Sequence, residues 1–131
     1  MSAATWAQTA APSAPAAPPT AQQISLGGQV WDDGGCANCH GAQGGGGVSV
    51  DFPVGPSLRT SKLDHAQMKE TISCGRPGTP MPSWLKGAYT MTACLARPLG
   101  PPPSDLVNVG AYDDMQIEAL VGFIQARFQQ K

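Results

Sequence analysis

Charge is scarce in this sequence. Lysine, arginine, aspartate and glutamate make up 13% of the 131 residues and nearly cancel, leaving a formal net charge of −1. A nucleic-acid partner calls for a basic excess, so that class is set aside. Long apolar runs are missing too, and none approaches the roughly 18 residues that a membrane span requires. No segment alternates apolar and polar residues for long, which argues against sheet and for an all-α chain. Aromatic residues are only 6% of the total. Side chains alone would bury a modest core, and a domain this small leans on a bound cofactor or on crosslinks. The opening MSAATWAQTA lacks the basic and apolar regions of a signal peptide. Its small residues look like the tail end of one, with ATWA or AQTA as cleavage contexts. The expectation is that this start is truncated, engineered or misassigned, and that an exported protein stands behind it.

What is present falls into two parts. Residues 1–23 carry no charged side chain and are mostly Ala, Pro, Thr and Ser. That composition packs no core and predicts a disordered tail or tether. Residues 24–131 form the single domain, with three to four helices. A short helix is expected from about Ala21 to Trp31, with Gly27 inside it. A mid-helix glycine costs about 1 kcal/mol relative to alanine, and close approach of another helix is the usual reason for one. A second helix follows Asp64, whose capping box closes on Gln67, and stops at Gly75. The last follows Asp113, boxed by Gln116, and carries the stripe Ile117, Leu120, Val121, Ile124 and Phe128. Between residues 86 and 112 four prolines and no clean period predict a long ordered loop, an insertion before the last helix.

The chemistry concentrates in Cys36-Ala37-Asn38-Cys39-His40, bounded by glycines. Cys-x-x-Cys-His is the attachment signature for c-type haem. Two sulfurs this far apart can each add to one vinyl group on a porphyrin edge, and the next residue puts an imidazole under the iron. Two other readings use the same residues. A thioredoxin-type dithiol belongs in a βαβ setting, and this chain offers no strands. A structural zinc site wants four ligands, and Cys74 and Cys94 could join the pair, but they lie twenty apart instead of two to four.

On these residues and their company the chain resembles the class I c-type cytochromes, small bacterial monohaem proteins, over about residues 21–128 apart from the insertion. Gly27-x-x-x-Trp31 is similar to the family's glycine–aromatic pair, where first and last helices cross; here Leu120 and Phe123 are its expected partners. CHGAQGGGG resembles the glycine-rich turn after the histidine, and VGPSL the family's Gly-Pro-x-Leu. The resemblance gives Pro56 a carbonyl that accepts from the His40 imidazole and gives Leu58 a place against the haem. It also implicates the loop GRPGTPMPSW, residues 75–84, as the source of the second axial ligand. Met81, stiffened by Pro80 and Pro82, is that ligand. Met1 lies in the tail, Met68 belongs to the core, Met91 to the insertion and Met115 to the first turn of the last helix. His65 is expected to face solvent. The implied cofactor is one covalent haem c per chain, with His40 and Met81 on the iron and no open coordination position. Arg59, Arg76 and Trp84 are candidates to meet the haem propionates.

Cys74 and Cys94 depart from the family pattern. Haem attachment of this kind occurs outside the cytosol, where disulfides persist, so a Cys74–Cys94 bridge is the expected state. Two unrelated buried thiols and a transient iron ligand at Cys74 are the alternatives. A bridge would pin the insertion to the start of the Met81 loop, contribute about 3 kcal/mol by chain entropy, and restrain Met81. Charge is also uneven. Arg59 to Arg97 holds six basic and two acidic residues, and Asp105 to Glu118 holds four acidic and none basic. One reading is a basic rim that steers an acidic partner; the other is an ordinary solvated surface.

The resemblance implies a periplasmic carrier of single electrons in a respiratory chain. Its partners would be a periplasmic dehydrogenase or quinol-oxidising complex and a terminal oxidase or other acceptor. Two further readings stay open. One is a fixed haem subunit of a larger redox complex, favoured by few charges, as in permanent interfaces. The other is a catalytic haem protein, a peroxidase or sulfur-compound oxidoreductase, which needs an open or labile sixth position.

Overall fold

The computed structural model describes residues 18–129. Four helices form: α1 (Ala21–Asp33), α2 (Cys36–His40), α3 (His65–Cys74) and α4 (Asp114–Phe128). Among the described residues there is no strand, only an isolated parallel bridge between Leu85 and Tyr112. The chain is all-α, as its lack of alternation indicated.

Each long helix begins at a reciprocal capping box. Asp64 accepts from the Gln67 N–H at 2.8 Å and Asp113 from the Gln116 N–H at 2.8 Å, while each glutamine side chain returns to the cap's own N–H. The third box, at α1, was not foreseen. Thr20 Oγ1 accepts from the Gln23 N–H at 3.1 Å, and the Thr20 N–H donates to Gln23 Oε1 at 2.8 Å. That box starts α1 at Ala21, so residues 21–23 are helix and not tail. Residues 1–17 of the expected tail lie outside the described residues.

The core is the meeting of α1 and α4. The predicted stripe on α4 is buried throughout, with Ile117 and Val121 at 0% exposure. The crossing works because Gly27 has no side chain. A Cβ there would lie 2.1 Å from the Ala119 carbonyl oxygen and 2.6 Å from Phe123 Cβ. The expected partners were Leu120 and Phe123; the glycine faces Ala119 and Phe123 instead, because backbone and not side chain makes the closest approach. One turn on, Trp31 stacks at a tilt on Phe128, centroids 4.9 Å apart, and on Phe123 at 6.0 Å. These contacts fix the angle at which α1 delivers the chain to Gly34 and α2.

Helix α3 is held to α4 by polar groups. Lys69 Nζ lies 3.0 Å from both Asp114 and Glu118, and His65 Nε2 is 2.5 Å from Glu118 Oε1. His65 Nδ1 also meets Gln125 Oε1 at 3.0 Å. The expectation of a solvent-facing His65 is therefore corrected: both ring nitrogens are engaged by α4. Sequence reading missed this because Glu118 is 53 residues away. The insertion, residues 86–112, is turns, bends and irregular chain up to the bridge at Tyr112, with Ala88 at 0% exposure as its inward anchor.

Candidate functional site

Two glycines with positive φ isolate α2: Gly35 at 67° and Gly41 at 84°. Between them Cys36 and Cys39 sit three residues apart on one helical turn, which sets both sulfurs on one side. Neither is in a disulfide. Burial pushes the Cys36 thiol up to about 12. Cys39 is raised too, by burial and then by the charge of Asp105. A dithiol redox centre needs a lowered thiol, and burial moves both of these the other way.

His40 is locked from outside its helix. Its Nδ1 lies 2.9 Å from the Pro56 carbonyl oxygen. A carbonyl only accepts, so Nδ1 carries the hydrogen and Nε2 keeps a free lone pair. The approach depends on glycine. A Cβ on Gly55 would come within 2.8 Å of His40 Nδ1 and 2.7 Å of the Cys39 oxygen. On Gly47 it would come within 2.2 Å of the Cys39 oxygen. Hydrogen bonds from Gly55 N to Cys39 O (2.7 Å) and Gly46 N to His40 O (2.8 Å) bind this cradle to α2, and one from Leu58 N to Gly44 O (2.7 Å) closes the loop on itself. The glycine run is thus a fitted surface more than a flexible turn.

Met81 stands on a short loop that leaves α3 through Gly75, at φ 72°. The Arg76 N–H donates to the Met81 carbonyl at 3.2 Å, and Thr79 Oγ1 donates to the Arg76 carbonyl at 2.7 Å. Met81, Leu58 and Cys36 all pack, partly buried, against the cluster that holds Trp84. The other described thioethers lie elsewhere: Met68 is 3% exposed in the core, while Met91 and Met115 are exposed. Met1 lies outside the described residues.

The remaining candidates divide. Trp84 is buried beside Tyr112, ring centroids 6.3 Å apart, and its Cζ3 would touch a Cβ on Gly34 at 3.5 Å. It belongs to the core wall of the site. Arg59 donates from Nε to the Gln43 carbonyl at 2.6 Å and lies 5.6 Å over the Phe128 ring. That places it as a brace on the glycine loop. Arg76 is exposed, and among the described residues only its backbone is engaged. Cys74 and Cys94 are joined, S–S 2.10 Å and Cα–Cα 5.4 Å. The bridge leaves them unavailable to a zinc ion shared with Cys36 and Cys39. Among the described residues no cluster of three or more His, Cys, Asp or Glu could hold a metal ion. The basic stretch is also thinner than its count, since Lys69 is paired with Asp114 and Glu118 and Arg59 is braced.

Two residues went unremarked in the sequence, Ser83 and Tyr89, and Tyr112 was expected only as a hydrophobic staple on Ile117. Ser83 is a buried polar residue at 2% exposure. Tyr89 accepts from its N–H at 2.9 Å; burial pushes the Tyr89 phenol up, and the Ser83 bond lowers it in part. The Tyr112 hydroxyl is buried and has no hydrogen-bond partner among the described residues, while the Asn108 amide donates to the Asp33 carbonyl at 2.8 Å. No sequence pattern marks such tertiary partners.

The donor set fits an iron porphyrin. Two thiols sit on one turn, an imidazole is held with Nε2 free, and a thioether and a leucine lie against one apolar wall. The family described as cytochrome c oxidase, cbb3-type, subunit III matches residues 22–93. No curated protein sequence matches significantly. Among solved structures the chain is similar to one in the Kuenenia stuttgartiensis reducing HAO-like protein complex Kustc0457/Kustc0458. Identity is 18% and the TM-score 0.57, over 88% of this chain and 48% of that one. That likeness shows a shared fold. The c-type cytochrome NirC aligns at 23% identity and TM-score 0.47, covering 86% of this chain and all of NirC. The c-type cytochrome SorU from Sinorhizobium meliloti aligns at 18% and 0.49, covering 83% of this chain and 94% of SorU.

Proposed function

We propose a function from the premise that this chain belongs to the family of c-type cytochrome domains described as cytochrome c oxidase, cbb3-type, subunit III, whose members carry covalently attached haem c: it is a monohaem protein that passes single electrons between redox partners. The observation that carries this reading is the His40 imidazole, bonded at Nδ1 to Pro56 and free at Nε2, on the same turn as two unpaired cysteines.

In this reading Cys36 and Cys39 would hold the haem through thioethers, and His40 Nε2 and Met81 Sδ would ligate its iron. Bound haem c supplies a one-electron iron couple. The chain's part is to hold that couple still. Pro56 fixes the imidazole plane and raises its basicity. Leu58 and Trp84 wall the site and exclude water. Met81 fills the position that a substrate or peroxide would need, which favours transfer over catalysis. Arg59 and Arg76 are not needed for any of these roles.

The domain proper runs from Thr20 to the end of α4, with the insertion as part of it. We place it in the bacterial periplasm and in a respiratory chain, supported by the Cys74–Cys94 bridge, which persists in oxidising compartments. No helix among the described residues is long and apolar enough to cross a membrane. A periplasmic dehydrogenase or quinol-oxidising complex would donate, and a terminal oxidase or other acceptor would receive. A second reading is a fixed haem subunit of a larger complex. It is favoured by Val48, Val50 and Val54, each exposed on the loop that Gly47 closes on Gly55 and that Gly55 fastens to α2.

Expression with a haem-attachment system, followed by intact mass and a reduced-minus-oxidised spectrum, tests the proposal. One haem added per chain, lost when Cys36 and Cys39 are both changed to alanine, supports it. A chain that matures without haem overturns it.

A further inference from the structure

Pro80 and Pro82 flank Met81 and bring no N–H groups, so few backbone donors beside the thioether are left to tie the loop. Inside it Met81 has a 3.3 Å bond from its N–H to Thr79 Oγ1 and a 3.2 Å bond from Arg76 to its carbonyl. Further ties come two residues later, at Ser83. Its hydroxyl donates to the Ser73 carbonyl at the end of α3. Its N–H donates to the Tyr89 phenol oxygen at 2.9 Å, and its carbonyl accepts from the Gly110 N–H at 3.2 Å. Every polar group of this buried serine is used, and two of the three partners come from the insertion.

The insertion reaches the other end of the loop as well. Cys94 is bonded to Cys74, the residue before Gly75. The segment carrying Met81 is thus gripped before it by a disulfide and after it by Tyr89 and Gly110. The Tyr89 ring also lies against Gly110, where a Cβ would stand 2.8 Å from Tyr89 Cδ2. One side chain therefore sets the position of both insertion partners of Ser83.

We propose that Tyr89 is a positioning residue for the axial thioether: by accepting the Ser83 N–H it clamps the exit of the Met81 loop and slows loss of Met81 from the iron. The proposal rests on the reading of Met81 as the sixth ligand. It goes beyond the disulfide, because it assigns the restraint to a hydrogen bond that survives reduction of Cys74–Cys94. The insertion is then a brace for the ligand, whatever else it touches.

The test uses the oxidised holoprotein and imidazole as the competing ligand. The readout is the rate at which the weak long-wavelength methionine–iron band disappears. Tyr89→Phe keeps the ring against Gly110 and removes only the oxygen. The Ser83 N–H is then left buried and unpaired, and displacement should run about tenfold faster. Ile124→Val, a core change on α4 that takes part in none of the bonds at Ser83, serves as the control for general loss of stability and should leave the rate near that of the parent. A C74S/C94S protein that still slows on retaining Tyr89, and speeds on the added Tyr89→Phe change, supports an independent clamp. Equal rates for parent and Tyr89→Phe overturn the clamp, and so does an equal acceleration in Ile124→Val. A parent protein with no methionine–iron band overturns the axial assignment and the clamp with it, an outcome distinct from a band that is present but indifferent to Tyr89.

Discussion

His40 Nδ1 and the Pro56 carbonyl oxygen meet at 2.9 Å across sixteen residues of glycine-rich chain. That bond decides which imidazole nitrogen is free, and Gly55 is the reason it can form. A Cβ there would collide with His40 Nδ1 and the Cys39 carbonyl.

Gly55→Ala should break this bond by crowding the His40 ring, while leaving both proposed ligands in the sequence. An imidazole that no longer donates to a carbonyl is less basic and stabilises ferric iron less. The reduction potential should therefore rise, on the order of tens of millivolts for a hydrogen bond worth about 1 kcal/mol. Voltammetry of parent and variant checks the sign. An unchanged or lower potential, with the methionine–iron band intact, contradicts the role given to Pro56.

Gly27→Ala sets two effects against each other. Alanine gains about 1 kcal/mol of helix propensity. Its methyl would sit 2.1 Å from the Ala119 carbonyl oxygen, and overpacking against backbone costs typically 1–3 kcal/mol or more. The clash should win, with a net loss of about 1–2 kcal/mol. Denaturant unfolding of the holoprotein measures it, and a stabilised variant would show that the crossing relaxes freely.

The α3–α4 charges give a pH-dependent term. Burial pushes the Glu118 carboxyl up, but hydrogen bonds from Lys69 and His65 outweigh it and hold the group below its usual 4.5. A depressed carboxylate stabilises the fold above that usual value and loses the contribution as pH falls through its folded value. Lys69 is raised, with burial opposing and the bonds from Glu118 and Asp114 prevailing. Its contribution is full below 10.5 and is lost as pH climbs past the raised value. The groups are partly exposed, so Glu118→Gln should cost only about 0.5–1 kcal/mol near neutral pH. The difference from the parent should shrink below pH 4.5 and in about 1 M salt. A penalty that is the same at pH 3 and pH 7 would assign it to packing.

Much of the scaffold was legible because its signals are local. The boxes Asp64–Gln67 and Asp113–Gln116 mark two helix starts within four residues, and the α4 stripe repeats at helical spacing. The Thr20–Gln23 box was equally local but lay at the edge of an Ala/Pro-rich stretch that drew it into the tail. Cys36, Cys39 and His40 are contiguous, so their grouping was visible at once, and family resemblance supplied Pro56, Leu58 and Met81. What escaped depends on distant partners. His65 looked free because Glu118 and Gln125 are on another helix. Ser83 and Tyr89 are six residues apart in a stretch without periodicity, and nothing in the string shows that one phenol caps one amide.

The visible spectrum of the oxidised protein, recorded beside that of Met81→Ala, tests the central claim that His40 and Met81 hold a covalently attached haem iron between them. The parent should show the weak long-wavelength methionine–iron band, and Met81→Ala should lack it, keep its haem through Cys36 and Cys39, and bind carbon monoxide readily when reduced. A parent without the band, or a Met81→Ala protein that retains it, would contradict the account.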